Sequence, residues 1–295
     1  MASLLEHTVM PSGGDYTSLD AAIDHLVASH ANLVTADVYA EVKIDGTWSS
    51  ADTAAVTING LTTDATRYLL VYAATAARHA GVWSTGKYNL TYTATANYEA
   101  CIQGYDEFVR IDGLQIKMIA GSYTGTKAIA VNPAATSDVR LSNTIICGNP
   151  SIAAKLESGV GYLWNDIIYT TGDYGLYSDA TTSSVYSCTL VGTVFGIRNV
   201  SGTMTAKNCY AKGTADYAYY GTITKTTCAS SDTTDSVGLQ NIAYNTDAFI
   251  NVTAGSEDLH LAADGLSPLQ GAGTDTSGDA APMNFTTDID GDTRS

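Results

Sequence analysis

Val109-Arg-Ile-Asp-Gly-Leu-Gln-Ile116 can be set above Val139-Arg-Leu-Ser-Asn-Thr-Ile-Ile146 and Gly161-Tyr-Leu-Trp-Asn-Asp-Ile-Ile168, and each line echoes the one before it. Ser184-Val-Tyr-Ser-Cys-Thr-Leu-Val191, Met204-Thr-Ala-Lys-Asn-Cys-Tyr-Ala211 and Ile223-Thr-Lys-Thr-Thr-Cys-Ala-Ser230 extend the series. The pivots are Gly113, Asn143, Asn165, Cys188, Asn208 and Thr227, spaced 30, 22, 23, 20 and 19 residues apart. A second series, half a turn out of phase, runs through Ile102, Ile129, Ile152, Leu176, Ile197 and Tyr219 at spacings of 27, 23, 24, 21 and 22. Two interleaved strand series with one shared period describe a coil of roughly twenty residues. A single coil cannot bury its own apolar face, but a stack of coils can. Strands in such a stack lie about 4.8 Å apart, so like residues rest on like residues. Asn suits the pivot, because it tolerates a tight turn and its amide can bond the next amide along the axis.

Outward from this centre the pattern changes. Ala36, Val38, Ala40, Val42 and Ile44 alternate with Asp37, Tyr39, Glu41 and Lys43, which predicts a half-buried strand ending at Asp45-Gly46. Further back, Thr17 and Asp20 fit a capping signature, and Leu19, Ala22, Ile23, Leu26 and Val27 recur at helical spacing. The spacing predicts an amphipathic helix over 17–30, lying across the open end of the stack and covering unpaired backbone groups. The expected organisation is an N-terminal segment with this helix over 1–35, coils over 36–255, and a tail over 256–295 packed on the last coil.

Composition agrees with many short strands, since Thr, Ala, Gly, Tyr, Val, Asn and Asp are plentiful among the 295 residues and only 5 are Pro. The net charge of −16, from 30 acidic and 14 basic residues, excludes a phosphate-neutralising surface and so a nucleic-acid partner. It also disfavours anionic membranes, and no run of eighteen apolar residues is present to span one. The N-terminus lacks a basic region followed by an apolar one, so no signal peptide is expected. Cys101, Cys147, Cys188, Cys209 and Cys228 are odd in number with no CxxC, which reads as buried free thiols in a reducing compartment.

The repeat resembles the right-handed parallel β-helix proteins, which include pectate-lyase-like enzymes and many bacteriophage spikes and decoration proteins. Gly13-Gly-Asp-Tyr-Thr-Ser-Leu19 is similar to their opening cap, and Asp258-Leu-His-Leu-Ala262, Ser267-Pro-Leu-Gln-Gly-Ala-Gly273 and Asp288-Ile-Asp-Gly-Asp-Thr-Arg294 to their closing segment. The resemblance implies an all-β solenoid and leaves function open, because this fold hosts enzymes and inert scaffolds alike.

Several constellations carry chemically suggestive residues. Gly81-Val-Trp-Ser-Thr-Gly-Lys87 matches most of a phosphate-binding loop, but Tyr88 follows and then strand-like alternation, where such a loop needs a helix N-terminus. Asp288, Asp290 and Asp292 offer hard oxygens for calcium, yet the glycine is misplaced and no bidentate Glu follows, so a turn-rich tail is the plainer reading. No cofactor is expected. Glycoside hydrolysis needs two facing carboxylates about 5 to 10 Å apart, and the repeats show no acidic ladder. One polar column stands out. Arg110, Arg140 and Tyr162 align, with Asp112 and Asp138 beside them. A polysaccharide lyase would use a cationic or Tyr base and a means of neutralising a uronate. The plainer reading is that the two aspartates neutralise two stacked arginines across strands.

The leading expectation is therefore a non-enzymatic virion protein of a bacteriophage: a capsid decoration or tail-associated appendage, trimeric, contacting the capsid shell and assembled in the host cytoplasm. The alternatives are a β-helical polysaccharide lyase or hydrolase, and an extracellular adhesive protein whose exposed tyrosines bind glycans.

Overall fold

The computed structural model describes residues 2–132, 138–214, 217–233, 238–262 and 265–294. Three sheets of nine, eight and seven strands are all parallel internally, and the chain visits them in rotation. This is an all-β, right-handed parallel β-helix. The nine-stranded sheet runs from Ser3–Val9 to Ile223–Thr226, the eight-stranded one from Leu90–Thr93 to Gly238–Leu239, and the seven-stranded one from Val56–Ile58 to Tyr219–Tyr220. One continuous apolar interior joins them, with Val42, Val71, Ile111, Leu163 and Val185 among its fully or almost fully buried members.

The pivots sit where the chain passes from the nine-stranded to the eight-stranded sheet. Gly113, Asn143, Asn165, Asn208 and Thr227 all have left-handed backbone, with φ from 50° to 74°. The sixth pivot is Ser187 (φ 54°), not Cys188. Leu163 pairs with Val185 and Trp164 with Tyr186, so Ser187 stands on Asn165. The single-residue offset moves Cys188 into the next column, stacked in the interior with Cys209 and Cys228. The second series is also corrected at one rung. Ile129 pairs with Ala154, which in turn pairs with Leu176, while Ile152 lies between Lys127 and Tyr174. A small Ala can hold an inward position when larger neighbours close over it.

The helix spans Leu19–His30 and buries Leu19, Ala22, Ile23 and Leu26. Its N-cap is Ser18, whose Oγ accepts from the Ala21 amide at 3.3 Å, not Thr17 as the capping signature suggests. It packs against the first strands of two sheets and closes that end of the stack. The coils start earlier than the alternation at 36–44 indicates. Ser3–Val9 pairs in full register with Val38–Ile44, so the first strand precedes the capping helix.

At the other end the coils finish by Leu239, and an antiparallel pair, Phe249–Asn251 with Asp258–Leu261, follows. The tail then turns back along the stack instead of resting on the last coil alone. Ala248, Phe249, Leu259 and Ile289 cover Ile145, Ile167, Val191, Tyr210 and Ala229 on the outer face of the eight-stranded sheet. That sheet is apolar on both faces, and parallel strands of this kind need cover on each. Asn208 grips the tail through both amide atoms: Oδ1 accepts from the Thr274 amide at 2.9 Å and Nδ2 donates to its carbonyl at 2.7 Å. Asn165 Nδ2 donates to the Thr287 carbonyl at 2.8 Å, and Arg294 donates to Asn165 Oδ1 at 2.6 Å. The pivot amides thus hold the tail as well as one another.

Candidate functional site

Arg110, Arg140 and Tyr162 do form one column, in direct register on three consecutive strands of the nine-stranded sheet. Alternation along each strand turns them outward, while Val109, Ile111, Val139 and Leu141 turn in. Their partners are local. Arg140 Nη2 donates to Asp138 Oδ2 at 2.6 Å, and its guanidinium lies 5.8 Å from the Tyr162 ring centroid. Arg110 lies 3.4 Å over the Tyr68 ring and donates to the Ala65 carbonyl at 3.3 Å. Burial, followed by the charge of Arg140, lowers the pKa of Arg110 from its ordinary value.

Asp112 does not serve this column, contrary to the reading that it neutralises a stacked arginine there. Its Oδ2 pairs with Arg78 at 2.7 Å, and its Oδ1 accepts from Ser142 Oγ at 2.7 Å and Asn143 Nδ2 at 2.6 Å. Arg78 comes from a loop outside the repeat, which is why column alignment did not reveal it. The carboxylates around the column are therefore engaged: Asp138 with Arg140, and Asp112 with Arg78 and a pivot amide.

Asp288 and Asp290 serve different tasks. Asp288 Oδ1 accepts the amides of Asp290 and Asp292, which closes their own turn. Asp290 Oδ2 meets His260 Nε2 at 2.8 Å, and His260 Nδ1 meets Asp258 at 2.6 Å. Burial alone would lower the His260 pKa, but the Asp258 hydrogen bond and the Asp290 charge hold it above its ordinary value. Among the described residues no group of three His, Cys, Asp or Glu side chains is arranged to hold a metal ion. The loop at Gly81–Lys87 is pinned to the stack by Gln115, which accepts from the Ser84 amide at 2.6 Å and donates to the Tyr88 carbonyl at 2.8 Å. No helix begins there.

Asp166 is fully buried and follows the pivot Asn165, in the column of Thr144, Cys188, Cys209 and Cys228. Its Oδ1 accepts from the Thr144 amide at 2.8 Å, and its Oδ2 is buried with no partner. Burial pushes its pKa well above the ordinary carboxyl value.

No family model matches the chain, and no curated protein matches it. Two solved structures of the pectin methylesterase from Aspergillus niger are similar in fold. The penultimately deglycosylated form has a TM-score of 0.49 and the deglycosylated form 0.47. Each is 13% identical and covers 87% of this chain and 92% of its own. At that identity no residue role passes from them to this chain.

Proposed function

We propose that the chain is a rigid, non-enzymatic scaffold that serves as a structural piece of a bacteriophage particle, a capsid decoration or tail-associated appendage that works as a trimer. The observation that carries the non-enzymatic part is the fate of the Arg110–Arg140–Tyr162 column: Arg140 is paired with Asp138, Arg110 lies on the Tyr68 ring, and Asp112 is drawn away to Arg78. A lyase base must be free to take a proton, and a hydrolase needs two carboxyl groups facing one bond. The scaffold part rests on the long ladders. Strands paired along their length resist local opening and give flat, rigid sides for docking. The virion setting follows the resemblance to phage spikes and decoration proteins.

Antibody-labelled electron microscopy of particles from the native source should place the chain on their surface, and light scattering should give the mass of three chains. A freely secreted monomer would contradict both. Incubation with uronate polysaccharides should yield no rise in the absorbance of unsaturated product. A rise that Arg140→Ala abolishes would establish the lyase alternative instead.

A further inference from the structure

The outer face of the seven-stranded sheet carries an arginine set among several aromatic rings. Lys155, Tyr177, Arg198 and Tyr220 form one outward column on consecutive strands, and Lys127, Ile152, Tyr174 and Phe195 a second beside it. Arg198 reaches across between them. Its guanidinium carbon lies 5.3, 5.4, 5.5 and 5.7 Å from the ring centroids of Phe195, Tyr177, Tyr174 and Tyr220. Its Nη1 donates to the Tyr174 hydroxyl at 2.9 Å, while its buried Nε has no partner. Phe195 stacks in parallel on Tyr174 at 5.2 Å. Beyond it, Tyr217 and Tyr220 remain 40% and 44% exposed.

Charge makes the arrangement unusual. The chain has 30 acidic residues against 14 basic ones, and Arg67, Arg78 and Arg140 each pair with a carboxylate. No described carboxylate pairs with Arg198. Lys155, two strands away in the same column, has Glu157 at 2.8 Å, and Lys127 donates to the Tyr98 carbonyl at 3.2 Å. Three cations therefore share this face, only Lys155 among them pairs with a described carboxylate, and Arg198 lies among four rings.

We propose that this face binds a saccharide bearing a carboxylate, with an apolar C–H face of the sugar on Tyr220 and Tyr217 and the carboxylate on Arg198. Aromatic rings favour a weakly positive C–H surface, and a guanidinium favours a planar carboxylate. A bare phosphate would use only the arginine, and a neutral sugar only the rings. The columns repeat at about 4.8 Å per strand along a straight face, which suits an extended chain of sugars. The net charge repels a polyanion at long range, but at physiological salt that field decays over about 8 Å, so the local cations govern the contact. This inference does not depend on the virion setting, and binding without cleavage is compatible with a scaffold.

Calorimetry at physiological salt, with alginate and hyaluronan tetrasaccharides, tests it directly. Controls are the same tetrasaccharides with carboxyls reduced to alcohols, and an acidic tyrosine-containing peptide. At least one acidic tetrasaccharide should bind. Carboxyl reduction and Arg198→Ala should each weaken that binding about tenfold or more, the scale of one charged hydrogen-bonding pair. Tyr220→Ala, at an exposed ring that leaves the stack intact, should weaken it several-fold, and Arg140→Ala on the other sheet should not. The proposal is overturned if neither acidic tetrasaccharide binds, if the reduced forms or the peptide bind equally well, or if correctly folded Arg198→Ala and Tyr220→Ala proteins bind like the parent.

Discussion

The Asp166→Asn variant should be more stable than the parent at neutral pH, by a margin that shrinks to nothing in acid. The reason lies in the column. After four of the six pivots, the side chain that turns inward donates back to the carbonyl two residues earlier: Thr144 to Ser142 at 2.9 Å, Cys188 to Tyr186 at 3.2 Å, Cys209 to Lys207 at 3.4 Å and Cys228 to Thr226 at 3.5 Å. Asp166 occupies that place. Only its protonated form has a hydrogen to give, and burial favours that form. The folded pKa is raised, so the stability contributed by this group is complete below the ordinary carboxyl pKa and is lost as pH climbs toward the folded value. Each pH unit in that window costs about 1.4 kcal/mol. An asparagine keeps the acceptor for the Thr144 amide, supplies a permanent donor and does not titrate. Urea unfolding of both proteins from pH 4 to pH 7 should show the parent falling relative to the variant. Parallel curves would mean that Asp166 is charged in the fold.

Asp52→Ala should cost about 3 to 5 kcal/mol, the scale expected when several buried donors lose a charged acceptor together. Asp52 is nearly buried at the capped end of the stack. Its Oδ2 accepts from the Leu19 amide at 2.8 Å and the Tyr88 hydroxyl at 3.2 Å, and its Oδ1 accepts from the Ala54 amide at 3.3 Å. Leu19 opens the capping helix and Tyr88 packs edge-on against Trp48 at 4.9 Å, so one carboxylate ties helix, loop and first coils together. Asp64, whose partners lie two and three residues away at the surface, is the control, and its alanine variant should change stability far less. Denaturant midpoints measure both. Equal small losses would show that the helix is held by its apolar face alone.

Much of this architecture is legible in the sequence because a stack forces like residues into columns. Arg110, Arg140 and Tyr162 were placed in their column by alignment alone. The errors arise where residue identity and backbone conformation part company. At Ser187 a serine takes the left-handed pivot, and a neighbouring cysteine looks the better match to asparagine in the columns around it. At Ala154 the larger Ile152 attracts the alignment although it points outward. The strand Ser3–Val9 is hard to see in the sequence because its partner begins only at Val38, with a helix inserted between them. Features built by non-repeating segments are the least legible. Arg78 on Asp112 and the tail on Asn165 and Asn208 both join residues through loops that no period predicts. The Arg198 cluster draws its rings from three successive strands and needs the register of each one.

Matched positions lie on top of one another in a single file of parallel strands. Glu6, Glu41, Leu70, Arg110, Arg140, Tyr162, Ser184, Thr205 and Thr224 form one such file, eight steps long. Glu6 and Thr224 are exposed, while all five native cysteines are buried, so spin labels at Glu6→Cys and Thr224→Cys can be attached selectively. Pulsed electron resonance should give a narrow distance distribution near about 38 Å, eight intervals of about 4.8 Å. A much shorter distance, from strands folded back as hairpins, or a broad spread without a maximum, would contradict the stack.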